Sequence, residues 1–264
     1  MCRISSHNYN KYQSNHKKVG FFCLFLLKTY ILVENKQKKM RKIRIGIELD
    51  HVIRDVNRQI AKCYQSEYDE SLDIDDIDYK DDVLHTVCKF NSHKEEVNFL
   101  YEDYPLEIYG HANQIDRFLS RDLNLWIKKL ENQEKYDVEV FFYSLFEHNI
   151  TIQSTYFFLS KIASRVRKVV FPKDIEELWS LGDIFVTSNA SVVDFSKKPT
   201  ILIRMKFNRR SEDNASIVYD DFRSFLNDNE KMKKICKALD KRKKGESTIS
   251  KVRSFVCSLF KKKN

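Results

Sequence analysis

Short apolar runs, separated by longer stretches of helical periodicity, set the pattern of the chain. Five runs read as strands: residues 43–49 (IRIGIEL), 138–143 (VEVFFY), 167–171 (RKVVF), 183–187 (DIFVT) and 200–204 (TILIR). They are brief and apolar in sequence, as strands buried on both faces are. Between them the spacing predicts helices over 54–64, 112–131, 151–164 and 174–181, the second carrying Phe118, Leu119, Leu123, Trp126, Ile127 and Leu130. This alternation predicts an α/β fold, a Rossmann-like parallel sheet covered by helices. Ligands of such sheets sit beyond the carboxyl ends of the strands, so acids at those ends matter most.

Residues 65–111 interrupt the alternation and read as a small cap insertion after the first strand–helix unit. They hold nine acids between Glu67 and Asp82. A calcium loop of EF-hand type is excluded: counting from Asp73, Asp75 fits the ligand pattern, Ile77 does not, and no glycine follows. The cluster reads as a solvated face. Three regions are therefore expected: a basic and apolar leader (1–39), an α/β domain with its cap (40–229), and a basic amphipathic tail (230–264).

The two ends have their own patterns. Residues 20–33 (GFFCLFLLKTYILV) are apolar but short of the roughly 20 residues a membrane span needs, and Lys28 interrupts them. Three readings stay open for 1–39: a leader upstream of a true start at Met40, a membrane anchor, or a signal peptide. In 249–263, Ile249, Val252, Phe255, Val256, Leu259 and Phe260 share a helical face ringed by lysines. Such a segment docks on an anionic membrane or a protein partner, or caps its own domain.

Charge sharpens this division. The net charge of +9 comes from the ends, whereas 40–229 holds 26 basic and 34 acidic residues. Specific nucleic-acid binding by the globular part is therefore not expected. Six cysteines show no C-x-x-C pair and no zinc-finger spacing, which suits reduced thiols in a cytoplasmic protein, with membrane association through either end as the alternative.

Gly-rich phosphate loops, H-E-x-x-H and G-x-S-x-G are all missing from the sequence. What remains is IRIGIELDHVIRD, an apolar strand running into an acidic turn. It resembles motif I of the haloacid dehalogenase (HAD) superfamily, D-x-D-x-[TV]-[LVI], and most of all the deoxyribonucleotidase-type phosphatases with a small cap. The resemblance spans roughly 42–227.

It implies a nucleophile at Glu48 and a general acid/base at Asp50, both facing a Mg²⁺ ion. It also implies phosphate-binding roles for Ser144, at the end of VEVFFYS, and Lys173, in VVFPKDIEELW, with Lys168 the poorer lysine. Two positions depart from the family. Glutamate replaces the aspartate nucleophile, and one extra methylene moves the attacking oxygen by about 1 Å, enough to cost about 10²-fold. The strand-4 motif lacks its acids: Thr187, Ser188 and Asn189 stand at the carboxyl end, Asp183 lies at the wrong end, and Asp194 falls too far on. Mg²⁺ is thus expected to be weakly held or lost.

These features lead to the expectation of a protein that binds a phosphorylated small molecule, a nucleotide among the candidates, with weak or absent hydrolysis. The alternatives are an active Mg²⁺-dependent phosphomonoesterase of 5′-nucleotidase type and a docking module acting through the basic tail.

Overall fold

The computed structural model describes residues 41–132, 135–145 and 149–241. The expectations for 1–39 and 249–263 lie outside the described residues. Six strands form one sheet: β1 (Arg41–Glu48), β2 (Tyr136–Tyr143), β3 (Val169–Val170), β4 (Ile184–Thr187), β5 (Thr200–Ile203) and β6 (Ile217–Tyr219), in the order β3-β2-β1-β4-β5-β6. The pairings of β1 with β4, β2 with β3, β4 with β5 and β5 with β6 are parallel. The five expected strands are present; β1 and β2 begin two residues earlier than expected, and β3, β4 and β5 are trimmed. Strand β6, only three residues long, is too short to show a period.

Helices cover both faces. In chain order these are α1 (Val56–Glu67), the short α2 (Val83–Thr86) and α3 (His93–Asn98), two π-helical turns (Phe99–Asp103 and Leu106–Gly110), α4 (Leu119–Glu131), α5 (Asn149–Lys161), α6 (Ile175–Leu181), α7 (Ala190–Asp194) and α8 (Phe222–Asn227). A last helix, α9, runs over 231–241. On one face Ile43, Ile45, Ile47 and Leu49 pack with Leu123, Trp126 and Leu130 of α4 and Phe225 of α8. On the other, Phe141, Tyr143 and Phe185 meet Leu178 and Trp179 of α6 and Val192 of α7. The sheet is apolar on both sides because both sides are covered.

Three features differ from the sequence pattern. Helix α4 starts at Leu119 rather than 112, because 112–118 serves as a linker paired to the turn after β1. Asp55 N donates to Asn113 O at 2.8 Å and Ile115 N to Ile53 O at 3.0 Å. Gln114 then takes Ser120 N and the Ser120 hydroxyl, satisfying donors that open a helix. The residues after 230 do not leave the domain at once, since α9 buries Ile235 and Leu239 in the main core.

The segment 65–111 is helical and has a core of its own. Phe99, Leu100, Ile108 and Tyr109 pack on Ile60, Ala61 and Tyr64 of α1. Its acids are largely spent on turns: Asp69, Asp73 and Asp78 each accept the amide two residues on.

The packing leaves no room for a side chain at Gly46. A Cβ there would meet Phe185 Cδ1 at 2.7 Å and Phe141 Cζ at 2.9 Å, both in the fully buried layer between β1 and α6. Gly46→Ala should therefore lower unfolding stability by about 1–3 kcal/mol, the usual cost of overpacking a core. A urea titration checks this; an unchanged midpoint would show that the two rings move aside freely.

Candidate functional site

The sheet order places its switch point between β1 and β4. The chain runs outward from β1 through β2 to β3, then returns to β4 on the other side of β1. A crevice opens beyond the carboxyl ends of two such strands. Glu48 ends β1 and Thr187 ends β4, so the pairing of these two strands brings the residues together.

Glu48 is 5% exposed. Its Oε2 accepts from Thr187 Oγ1 at 2.9 Å, Ser188 N at 2.6 Å and Ser188 Oγ at 3.0 Å. Thr187 can donate because its own oxygen already accepts from Asn189 N. Burial nevertheless dominates and pushes the Glu48 carboxyl up to about 7, against the pull of these hydrogen bonds. Asn208, fully buried, ties the neighbouring strand ends by donating to Ser188 O at 2.7 Å and Ile203 O at 2.9 Å.

Asp50 follows in a tight turn in which Ile53 N and Arg54 N both donate to Leu49 O. Its Oδ2 accepts from Ser144 Oγ at 2.7 Å, and its Oδ1 lies 2.6 Å from Arg54 Nε. The Arg54 side chain is fully buried. It also donates to Thr155 Oγ1 of α5 at 2.7 Å and to Tyr109 O of the helical insertion at 3.2 Å, and it lies over the Tyr109 and Phe158 rings. Burial would raise the Asp50 pKa, but the Arg54 charge and hydrogen bond outweigh it and hold the carboxyl below its ordinary value.

His51 follows Asp50 with φ at 60°, the left-handed region a non-glycine residue enters at a cost. Its Nδ1 is buried with no hydrogen-bond partner among the described residues, and its ring meets the edge of Phe207. Burial, aided by Arg54, depresses its pKa.

The fold thus gathers Glu48, Asp50 and Ser144 within hydrogen-bonding reach of one cluster. Lys173 stays apart: it is exposed before α6, and its amide donates to Glu177 Oε2 while its ammonium contacts none of the three. Lys168 pairs with Glu139. Asp183 lies at the amino end of β4, where it accepts from Arg44 N at 2.9 Å and pairs with the Arg44 guanidinium. Asp194 is bound to Ser211 and Asn214.

Sequence reasoning missed Arg54 and Asn208. The i,i+4 spacing of Asp50 and Arg54 was a usable signal for the first; Asn208 left none. Among the described residues, no three His, Cys, Asp or Glu side chains are placed to hold a metal ion. No described helix is long and apolar enough to cross a membrane.

Neither a family model nor a curated protein matches the sequence. Among solved structures the chain is similar to a haloacid dehalogenase-like hydrolase from Burkholderia xenovorans LB400, with a TM-score of 0.44 and 8% identity, covering 72% of this chain and 97% of that one. It is also similar to an L-2-haloacid dehalogenase, with a TM-score of 0.41 and 10% identity, covering 71% and 98%.

Two outcomes follow from the buried charges. Glu48 holds its proton in the folded chain to about pH 7 but loses it near 4.5 when unfolded. The folded state therefore binds more protons between these values, and stability from this group falls as pH rises through that window, by roughly 3 kcal/mol. Glu48→Gln should flatten the loss of melting temperature between pH 5 and 7 relative to wild type; parallel curves would refute the assignment.

For the ion pair, Arg54→Met should cost about 3–5 kcal/mol, because it strands the Asp50 charge. Asp50→Asn added to it should cost less than the two single changes summed, by about 1–3 kcal/mol. Strict additivity in urea melts would mean that the pair is not coupled.

Proposed function

We propose that this chain is a HAD-type protein whose catalytic positions have become structural, and that it binds a phosphorylated small molecule without hydrolysing it. The order of the motifs in sequence supports the family reading, and the meeting of Glu48, Asp50 and Ser144 in one cluster agrees with it. The observation that carries the loss of chemistry is the 2.6 Å contact between Arg54 Nε and Asp50 Oδ1.

A general base must offer a lone pair to the proton it removes. Both Asp50 oxygens are engaged, one by a guanidinium and one by a hydroxyl, and the Arg54 charge holds the carboxyl below its ordinary value, which makes it a weak base. Glu48 is a constrained nucleophile: three donors fix its Oε2, and a carboxyl with a pKa near 7 is half protonated at neutral pH. The residues present do not fit Mg²⁺. Arg54 places a positive charge against the carboxylate that would face the ion, and the strand-4 positions hold hydroxyls turned toward Glu48.

The test is phosphate and halide release by the full chain with Mg²⁺, over nucleotides, sugar phosphates and 2-haloacids, alongside a Mn²⁺ titration followed by electron paramagnetic resonance. Release no faster than a protein-free blank and no saturable Mn²⁺ site are expected. Metal-dependent turnover that disappears in Asp50→Asn, or a Mn²⁺ site lost in that variant, would overturn the reading.

A further inference from the structure

A cavity of about 410 Å³ is lined by Asp55, Arg58, Gln59, Lys62, Asn113, Gln114 and Arg117, none of them a member of the carboxylate cluster. Its walls are α1 and the linker returning from the helical insertion. Its floor is the place where linker and β1 turn cross, held by Asp55 N on Asn113 O, Ile115 N on Ile53 O and the antiparallel bridge of Arg54 with Gln114.

The lining brings three cations to one small space with a single carboxylate. Asp55 is committed to α1, accepting Arg58 N at 3.1 Å and lying 3.8 Å from Arg58 Nε. Half-buried Lys62 makes no ion pair among the described residues, though its charge acts on the Asp55 carboxyl, and Arg117 lies over the Phe118 ring with no ion pair either. Three side-chain amides, from Gln59, Asn113 and Gln114, complete the wall. Arg58 is itself engaged, with Asp55 and by donating from Nη2 to Ile77 O at 3.1 Å, so Lys62 and Arg117 are the exceptions in a region where acids outnumber bases and where Lys80, Lys206 and Arg223 all find acidic side chains or carbonyls. Like charges converging without counter-charge raise the energy of the empty site, and an anion relieves it.

We propose that this cavity is a binding site for the phosphate group of a small molecule, held by Arg58, Lys62 and Arg117. Three cations against one carboxylate leave two positive charges, the match for a phosphate dianion. Guanidinium groups also suit phosphate oxygens by geometry. The volume accommodates a phosphate with a small organic group attached. Because linker and α1 both line it, the bound group fastens the helical insertion to the β1 turn. The site stands apart from the Glu48 cluster and does not depend on the HAD reading.

The experiment is calorimetric titration of the full chain with inorganic phosphate, with ribose 5-phosphate and with citrate, at fixed ionic strength. Saturable binding of one phosphate group per chain is expected. Lys62→Met and Arg117→Met should each weaken it by about tenfold, the worth of one charge-assisted contact. Lys197→Met, which alters a surface cation paired with Glu176, should leave it unchanged. Melting curves without ligand show that the variants fold.

Binding of ribose 5-phosphate with phosphate excluded, or the reverse, identifies the source of the group and supports the site in either case. No saturable binding, binding of citrate alone, or weakening that is equal in Lys197→Met would overturn it. So would phosphate binding indifferent to Lys62 and Arg117, since that would place the anion on the basic ends of the chain.

Discussion

Arg54 carries a full positive charge into a place where its side chain reaches no water, and three parts of the fold are built around it. The β1 turn supplies Asp50, the helical insertion supplies the Tyr109 carbonyl and ring, and α5 supplies Thr155 and the Phe158 ring. A guanidinium is tolerated there only if its donors are met, because an unpaired buried charge costs several kcal/mol. The three segments are thereby held to one mutual geometry. The same contact ties Asp50 Oδ1 to the guanidinium.

Glu48 is managed differently. Its longer side chain turns toward the end of β4, where an amide and two hydroxyls collect on one oxygen. Hydrogen bonds offset part of the desolvation but not all of it, so the proton is retained toward neutral pH. Asn208 then fixes the strand ends that present those donors. Two carboxylates a residue apart in sequence have thus been driven in opposite directions, one held ionised by a cation and one held protonated by burial. Charge that could have faced a ligand or an ion is consumed inside the protein.

The anion-friendly surface lies instead along α1. There Arg58 and Lys62 rise one turn apart beside Arg117 of the returning linker. The crossing of linker and β1 turn beneath them joins this cavity to the Arg54 network through adjacent backbone. A ligand held above that crossing would bear on the segment that positions Asp50 and Arg54.

The sheet was legible because burial on both faces leaves runs of apolar residues that need no partner to be recognised: β1, β2, β4 and β5 could be read off directly. The helices α5 and α6 followed from their spacing, and the parallel sheet from the alternation, whereas the switch point beside Glu48 came only with the strand order. Helix α4 was overextended because residues 112–118 carry helical spacing, yet Ile115 N is taken by Ile53 O and Phe118 N by Asp116 Oδ1. Ser144 was found by its place at a strand end, a matter of register along one chain. Arg54 and Asn208 were not, for a physical reason. An arginine in a string of letters is a surface charge by default; Asp50 is its local partner four residues back, but only the arrival of Tyr109, Thr155 and Phe158 from separate segments makes its burial possible. Sequence by itself determined which residues line the end of the sheet; tertiary structure decided which of their charges are already spent, because desolvation and pairing depend on neighbours that local periodicity does not encode.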